Sequence, residues 1–207
     1  MPGPVPDEPD RGDARVVATL EDGARIFLRP ARADDGPRIA EGYERCSADT
    51  RYFRFLSGAY ELTEVRIAAL TGADHRDHAV WLALEADAPG TPVAAVTRFV
   101  RSTLSPDTAE VAFIVADEYQ GRGLGRLLLD ALRVSADVDG ITTFVAEVLA
   151  ENGPMKALLL HRGAHVIYRD GPELRLELAL DDPRLPPVEP GIVQALRHAA
   201  TIATGWA

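Results

Sequence analysis

Lysine is almost missing from this 207-residue chain: Lys156 stands alone among 22 lysines and arginines. Cysteine is as scarce. With Cys46 the only one, neither an intrachain disulfide nor a multi-cysteine zinc site can form, and the usage fits a reducing compartment. No apolar run approaches the roughly 18 residues that cross a bilayer. The opening MPGPVPDEPDRGD has neither a basic segment nor an apolar core, so a cytoplasmic protein without a membrane partner is expected. A positive balance of charge is absent too. At a formal net charge of -10 the average surface repels phosphate backbones and anionic lipid, which argues against nucleic acid as a partner.

What remains is the composition of an ordinary globular domain, 46% hydrophobic and 26% charged, in a chain long enough for one sizeable core. Residues 1–14 mix prolines with acidic residues and show no periodicity, so they are expected to be a disordered tail. From Arg15 the pattern changes. ARVVATL and ARIFLRP flank Glu21-Asp22-Gly23, a hairpin signal, and a helix is expected from Asp34 to about Cys46, with Pro37 in its first turn. SADTRYFRFLS has no clear pattern. LTEVRIAALTG reads as a short helix capped by Thr63 and stopped by Gly72.

HAVWLALE, PVAAVTRFV and EVAFIVA then read as strands, and a helix from about Gly123 to Asp137 places Leu124, Leu127, Leu128, Ala131 and Leu132 on one stripe. ITTFVAEVL, PMKALLLHRG, HVIYRD and ELRLELAL add a strand, a helix and a closing pair of strands. The order implies an α+β fold around a mixed sheet, with one domain over residues 15–180. Residues 181–207 form a Pro-rich linker and an amphipathic helix whose Ile192, Val193, Leu196 and Ala200 must pack on the chain's own domain or on a second subunit as a homodimer.

The stretch AEVAFIVADEYQGRGLGRLLLDAL carries the chemistry. An apolar strand runs through a short acidic link into Gln120-Gly121-Arg122-Gly123-Leu124-Gly125 and then into a helix. Alternating glycines at a helix start let free backbone N–H groups converge on one point, where the helix dipole favours a phosphate. Arg122 and Arg126 add positive charge within an acidic chain. The Rossmann spacing G-x-G-x-x-G fails in both registers, at Arg126 and at Leu128, and no Gly-Lys-Ser/Thr exists for a P-loop.

Gln120, Gly123 and Gly125 in this strand–turn–helix setting do meet the Q/R-x-x-G-x-G/A signature of the GNAT superfamily. Together with GDARVVATLEDGARIFLRPARADD, SADTRYFRFLS and VLAENGPMKALLLHRGA, the segment resembles the bacterial protein lysine acetyltransferases of that superfamily over roughly Arg15 to Leu180. The resemblance implies a GNAT-like fold with helices on both faces of the sheet, in which two central strands, here Glu110–Ala116 and Thr142–Leu149, splay apart to admit the pantetheine arm of acetyl-CoA. It implies backbone contacts to the arm at Phe113 and Val115, and a pyrophosphate held by N–H groups of Gly121, Arg122, Gly123, Leu124, Gly125 and Arg126 beside Gln120. Asn152 matches the family asparagine that opens the next helix. One departure stands out: the family tyrosine held to protonate the leaving thiolate falls on Leu159.

A lysine amine, with a reference pKa of about 10.4, needs a base before it attacks a thioester. The resemblance assigns that role to Glu110, expected to be partly buried beside Val111 and Phe113. Glu147 on the neighbouring strand is a weaker candidate. His75 and His78 have a spacing seen in metal sites, but they lack further ligands and read as surface residues, so no metal is expected. The expected reaction is direct transfer of acetyl to a primary amine, favouring a protein lysine, with no covalent intermediate at Cys46. The alternatives are a small-molecule amine acceptor, or a catalytically silent acyl-CoA-binding module.

Overall fold

The computed structural model of the chain describes residues 14–56 and 61–205. The expected tail therefore lies outside the described residues except for Ala14, which is buried in the core. Among the described residues, eight strands form one sheet in the order β1-β2-β3-β4-β5-β6-β8-β7. They are β1 (Val16–Thr19), β2 (Arg25–Pro30), β3 (His78–Glu85), β4 (Val93–Arg101), β5 (Thr108–Val115), β6 (Thr143–Leu149), β7 (His165–Asp170) and β8 (Glu173–Ala179). The helices are α1 (Gly36–Glu44), α2 (Ala48–Phe55), α3 (Glu64–Thr71), α4 (Leu124–Val138), α5 (Gly153–His161) and α6 (Pro190–Ala203). This is a mixed α+β sheet.

Every strand pair is antiparallel except β5 and β6, which run parallel, and α4 is the crossover that such a connection requires. The larger core lies on the side of the sheet covered by α4, α5 and α6, where Trp81, Phe99, Phe144 and Leu128 are fully buried. Trp81 donates its Nε1–H to Ser135 Oγ at 2.9 Å, tying β3 to α4. A smaller cluster of Ile39, Val80, Leu82, Leu84, Val93 and Val96 fills the opposite face under α1 and α3. Helices thus cover both faces.

The start of α1 is fixed locally. Pro37 falls in its first turn, and Asp35, its N-cap, makes no side-chain cap bond because its carboxylate is engaged elsewhere. Arg29 donates to both Asp35 oxygens at 2.6 Å, and Arg32 N–H adds a third bond at 2.7 Å, so β2 is pinned to the start of α1. Burial opposes ionisation of Asp35, and the Arg29 guanidinium outweighs it, leaving the carboxyl below its ordinary range. The patternless SADTRYFRFLS forms α2, capped by Ser47 accepting from Thr50 N–H; its last serine lies outside the described residues.

The terminal helix α6 packs on its own chain. Leu196, Ala199, Ala200 and Ala203 are buried against α4, β1 and β2, so its apolar stripe needs no second subunit. Among the described residues no helix is long and apolar enough to cross a membrane.

Candidate active site

β5 is paired with β4 from Ala109 to Val115 but with β6 only at Thr108, Ala109 and Glu110. Beyond that point β6 continues to Leu149 paired with β8, so the two parallel strands part. The hydrogen bonds Ser102 N–H to Thr108 O and Ala116 N–H to Ala94 O bracket the β4–β5 ladder. Antiparallel bonding repeats every second residue, so Glu110, Ala112 and Ile114 turn their backbone groups toward β4. Val111, Phe113 and Val115 turn theirs toward the gap.

That gap opens into a cleft of about 860 Å³. Its lining brings together Glu110, Phe113, Val115, Gln120, Gly121, Gly123, Leu124, Gly125, Arg126 and Asn152. Of the residues to which the resemblance gave a base or acetyl-CoA-binding role, Arg122 alone is not in the lining. Its Nε meets Asp22 Oδ2 at 2.6 Å, Nη1 donates to Glu118 O at 3.2 Å, and the guanidinium lies over the Tyr119 ring. The β1–β2 turn has claimed this side chain.

The glycines of the loop serve different ends. Gly123 is the N-cap of α4 with φ +86°, a left-handed conformation that strains residues bearing a Cβ. Gly125 has ordinary dihedrals, but a Cβ there would meet Leu158 Cδ2 at 3.2 Å, so it allows α4 to approach α5 closely. The first turn of α4 holds no acidic residue and presents the exposed Arg126, while Glu21 of the β1–β2 turn brings its carboxylate beside Gly123.

The side chain of Gln120 ties the loop down: its Nε2 donates to Val115 O and to Thr50 Oγ1, both at 3.0 Å. Thr50 in turn donates to Asp117, which also accepts from Ser47 N–H and Ser47 Oγ. Asp117 is held below its usual range: Ser47 and Thr50 outweigh the opposing effect of burial, which is the largest single influence. The link between Thr50 and Asp117 is not legible in the sequence, because the partners in this network are about 70 residues apart. Asn152 caps α5 by accepting from Met155 N–H at 3.1 Å.

Glu110 is exposed, and this corrects the partial burial expected of it. Strand alternation sends Val111 and Phe113 into the larger core and Glu110 to the other face. Among the described residues its carboxylate has no hydrogen-bond or ion-pair partner, whereas Glu147, also in the cleft, pairs with Arg175 at 3.4 Å.

His75 is likewise no surface residue. It is 5% exposed with Nε2 3.0 Å from Ala31 O, and burial is the main cause driving the pKa of half-buried His78 down to about 4. Among the described residues no group of three or more metal-binding side chains is assembled. Cys46 is buried with its thiol pushed up to about 11, mainly by burial, which suits a packing residue and not a nucleophile. Leu159 is 1% exposed within the core.

Comparison with known proteins places these features in a context. A family model described as an acetyltransferase (GNAT) domain matches residues 25–165. The chain is 37% identical over 184 residues to the acetyltransferase Pat of Mycolicibacterium smegmatis, covering 89% of this chain and 54% of that protein. It thus spans about half the length of that curated relative. The crystal structure of the GNAT domain of S. lividans PAT superposes with a TM-score of 0.73 at 30% identity, covering 80% of this chain and 97% of the other. A likeness of fold alone extends to yncA of Salmonella typhimurium, solved with its cofactor acetyl-CoA, at 24% identity and a TM-score of 0.60 over 78% of this chain and 98% of that one.

Proposed function

Because the chain belongs to the GNAT acetyltransferase family and takes acetyl-CoA as its acyl donor, we propose that it transfers acetyl to protein lysine side chains, with Glu110 as the general base. The observation that carries this reading is the carboxylate of Glu110, unpaired among the described residues, at the fork where β5 and β6 part. The pyrophosphate would rest on the N–H groups of residues 121–126, and the pantetheine arm would run along the open edge of β5. This delivers the thioester beside Phe113, within the reach of an amine that enters past Glu110.

Glu110 removes the proton from the incoming ammonium, directly or through one water, and the amine attacks the carbonyl. The backbone groups of Phe113 and Val115 orient the arm and polarise the thioester, whose developing charge they stabilise. No acyl-enzyme forms, in keeping with the buried, weakly acidic Cys46 thiol. The 37% identity to Pat supports a protein acceptor.

Glu110→Gln tests the base. Turnover at pH 7 should fall about 10²–10⁴-fold, part of the rate should return as pH rises and more amine deprotonates, and acetyl-CoA affinity should hold. Near-normal turnover would transfer the role to Glu147. Labelled acetyl-CoA offered to a mixture of proteins and small amines tests the acceptor. Since Lys156 is the enzyme's only lysine and donates to Ala150 O, lysine label on other proteins can be separated from self-labelling at one site. Label confined to small amines would replace the protein acceptor.

A further inference from the structure

A second cavity, of about 100 Å³, lies beneath α1, α2 and α3 against β4 and β5. The space is larger than the water-sized gaps that close packing ordinarily leaves between side chains, and it is partly open to its surroundings. It adjoins the cleft through five shared residues, Arg54, Phe55, Arg98, Ala112 and Ile114. At this junction Ala112 contributes only a methyl group, on the strand that would carry the thioester.

The charge of its lining is the opposite of the chain's. The sequence carries 32 acidic residues against 22 basic ones, yet this cavity is lined by three arginines, Arg54, Arg66 and Arg98, and by no carboxylate among the described residues. Arg98 stands opposite Ala112 on β4, and among the described residues its guanidinium has no hydrogen-bond or ion-pair partner. The rest of the wall, including Ile39, Leu70 and Val96, is apolar. An apolar cavity bordered by an unpaired guanidinium suits a short aliphatic segment that ends in an anion.

We propose that this cavity is an acyl-tail pocket for dicarboxylic acyl-CoA donors of four or five carbons, such as succinyl-CoA, with Arg98 pairing the distal carboxylate. The inference rests on the acyltransfer reading above and extends its donor class. A lysine acceptor arrives as one narrow stem and leaves its peptide outside, whereas the acyl group starts at the carbonyl beside Phe113 and would pass the neighbouring Ala112 methyl into the cavity with its own tail. A succinyl tail adds about four heavy atoms to acetyl, and 100 Å³ accommodates that, given that about 150 Å³ holds benzene. The transfer is otherwise unchanged. The lysine nitrogen bonds to the carbonyl carbon, the C–S bond breaks with its electron pair on sulfur, and the amine's proton passes to Glu110. The product is an amide with a free terminal carboxylate.

The test compares acetyl-, butyryl- and succinyl-CoA by calorimetric binding and by transfer to a lysine peptide. Butyryl has the same chain length as succinyl without the charge. Succinyl-CoA should bind and react at least about tenfold better than butyryl-CoA, as a charge-assisted contact allows. Arg98→Met should erase that preference while acetyl transfer continues, and Leu70→Phe, which fills the cavity from α3, should exclude both longer acyl groups. Equal use of butyryl- and succinyl-CoA, or exclusion of both by the native enzyme, would overturn the proposal. So would Arg98-dependent acetylation of a free amino acid, because the guanidinium would then serve the acceptor. If no donor supports transfer, the acyltransfer reading fails by itself, and the binding preference with its loss in Arg98→Met still decides the pocket.

Discussion

Along its β4 edge, β5 is held at seven positions, from Ala109 to Val115; along its β6 edge it is held at three, from Thr108 to Glu110. The residues on the two edges are the same, and their backbones alternate in direction. What differs is the neighbour: β4 follows β5 to its end, whereas β6 stays with β8 and leaves Val111, Phe113 and Val115 facing a cleft. A strand anchored on one edge can offer fixed backbone donors and acceptors on the other without reorganising when a ligand arrives. Substitutions on the closed side should therefore cost stability and spare acetyl-CoA binding. Those around the open side should do the reverse.

The largest effect is expected on the closed side. Asp35→Asn leaves buried Arg29 without its bidentate partner and should cost about 3–5 kcal/mol in denaturant unfolding, with acetyl-CoA affinity intact. The pH dependence has a definite sign. Because Asp35 titrates below its ordinary value in the folded state, its contribution is present above the unfolded carboxylate pKa of about 3.9 and is lost as pH falls through the folded value. Acid unfolding of the native chain should show this loss, and the Asn variant should not.

Leu196→Ala comes next, at about 2–5 kcal/mol for a fully buried leucine. Since α6 docks on α4, β1 and β2 of the same chain, the loss should not depend on protein concentration. A melting temperature that falls on dilution would mean that a second subunit shares this helix.

On the open side, Gly123→Val places a β-branched residue at φ +86°, a strain on the order of 1–3 kcal/mol, and disrupts the converging N–H groups. The rise in melting temperature that acetyl-CoA gives the native protein should vanish. A full rise would move the pyrophosphate away from this loop. Thr50→Val is the mildest change: it removes the hydroxyl between Gln120 and Asp117, worth about 0.5–1.5 kcal/mol. Stability should fall by no more than that amount, and acetyl-CoA affinity should weaken about 2- to 10-fold as the loop loosens.

Strand identity and the α4 start were legible because β3 to β6 carry strong apolar patterns and the glycines sit at a helix boundary, both local signals. His78–Glu85 agrees residue for residue with HAVWLALE. The exposure of Glu110 was not legible, because one strand does not reveal which face of the sheet remains open. Nor was the fate of Arg122, which depends on Asp22 folding back from a hairpin 100 residues earlier. His75 looked like a loop histidine for the same reason: the carbonyl of Ala31 that holds it lies 44 residues away. Residues whose local placement depends on their own neighbourhood could be placed from sequence, and those placed by distant partners could not.

The open edge of β5 is where the acyl arm is assigned, and residue-resolved amide hydrogen exchange by NMR, with and without acetyl-CoA, addresses that edge directly. In the free protein the N–H groups of Phe113 and Val115 should exchange faster than those of Ala112 and Ile114, which are bonded to β4. Acetyl-CoA should slow exchange at Phe113, Val115 and residues 121–126 and leave Ala112 and Ile114 almost unchanged. Saturating acetyl-CoA that raises the melting temperature yet leaves Phe113 and Val115 as fast as before would contradict the assignment of the acyl arm to the gap between β5 and β6.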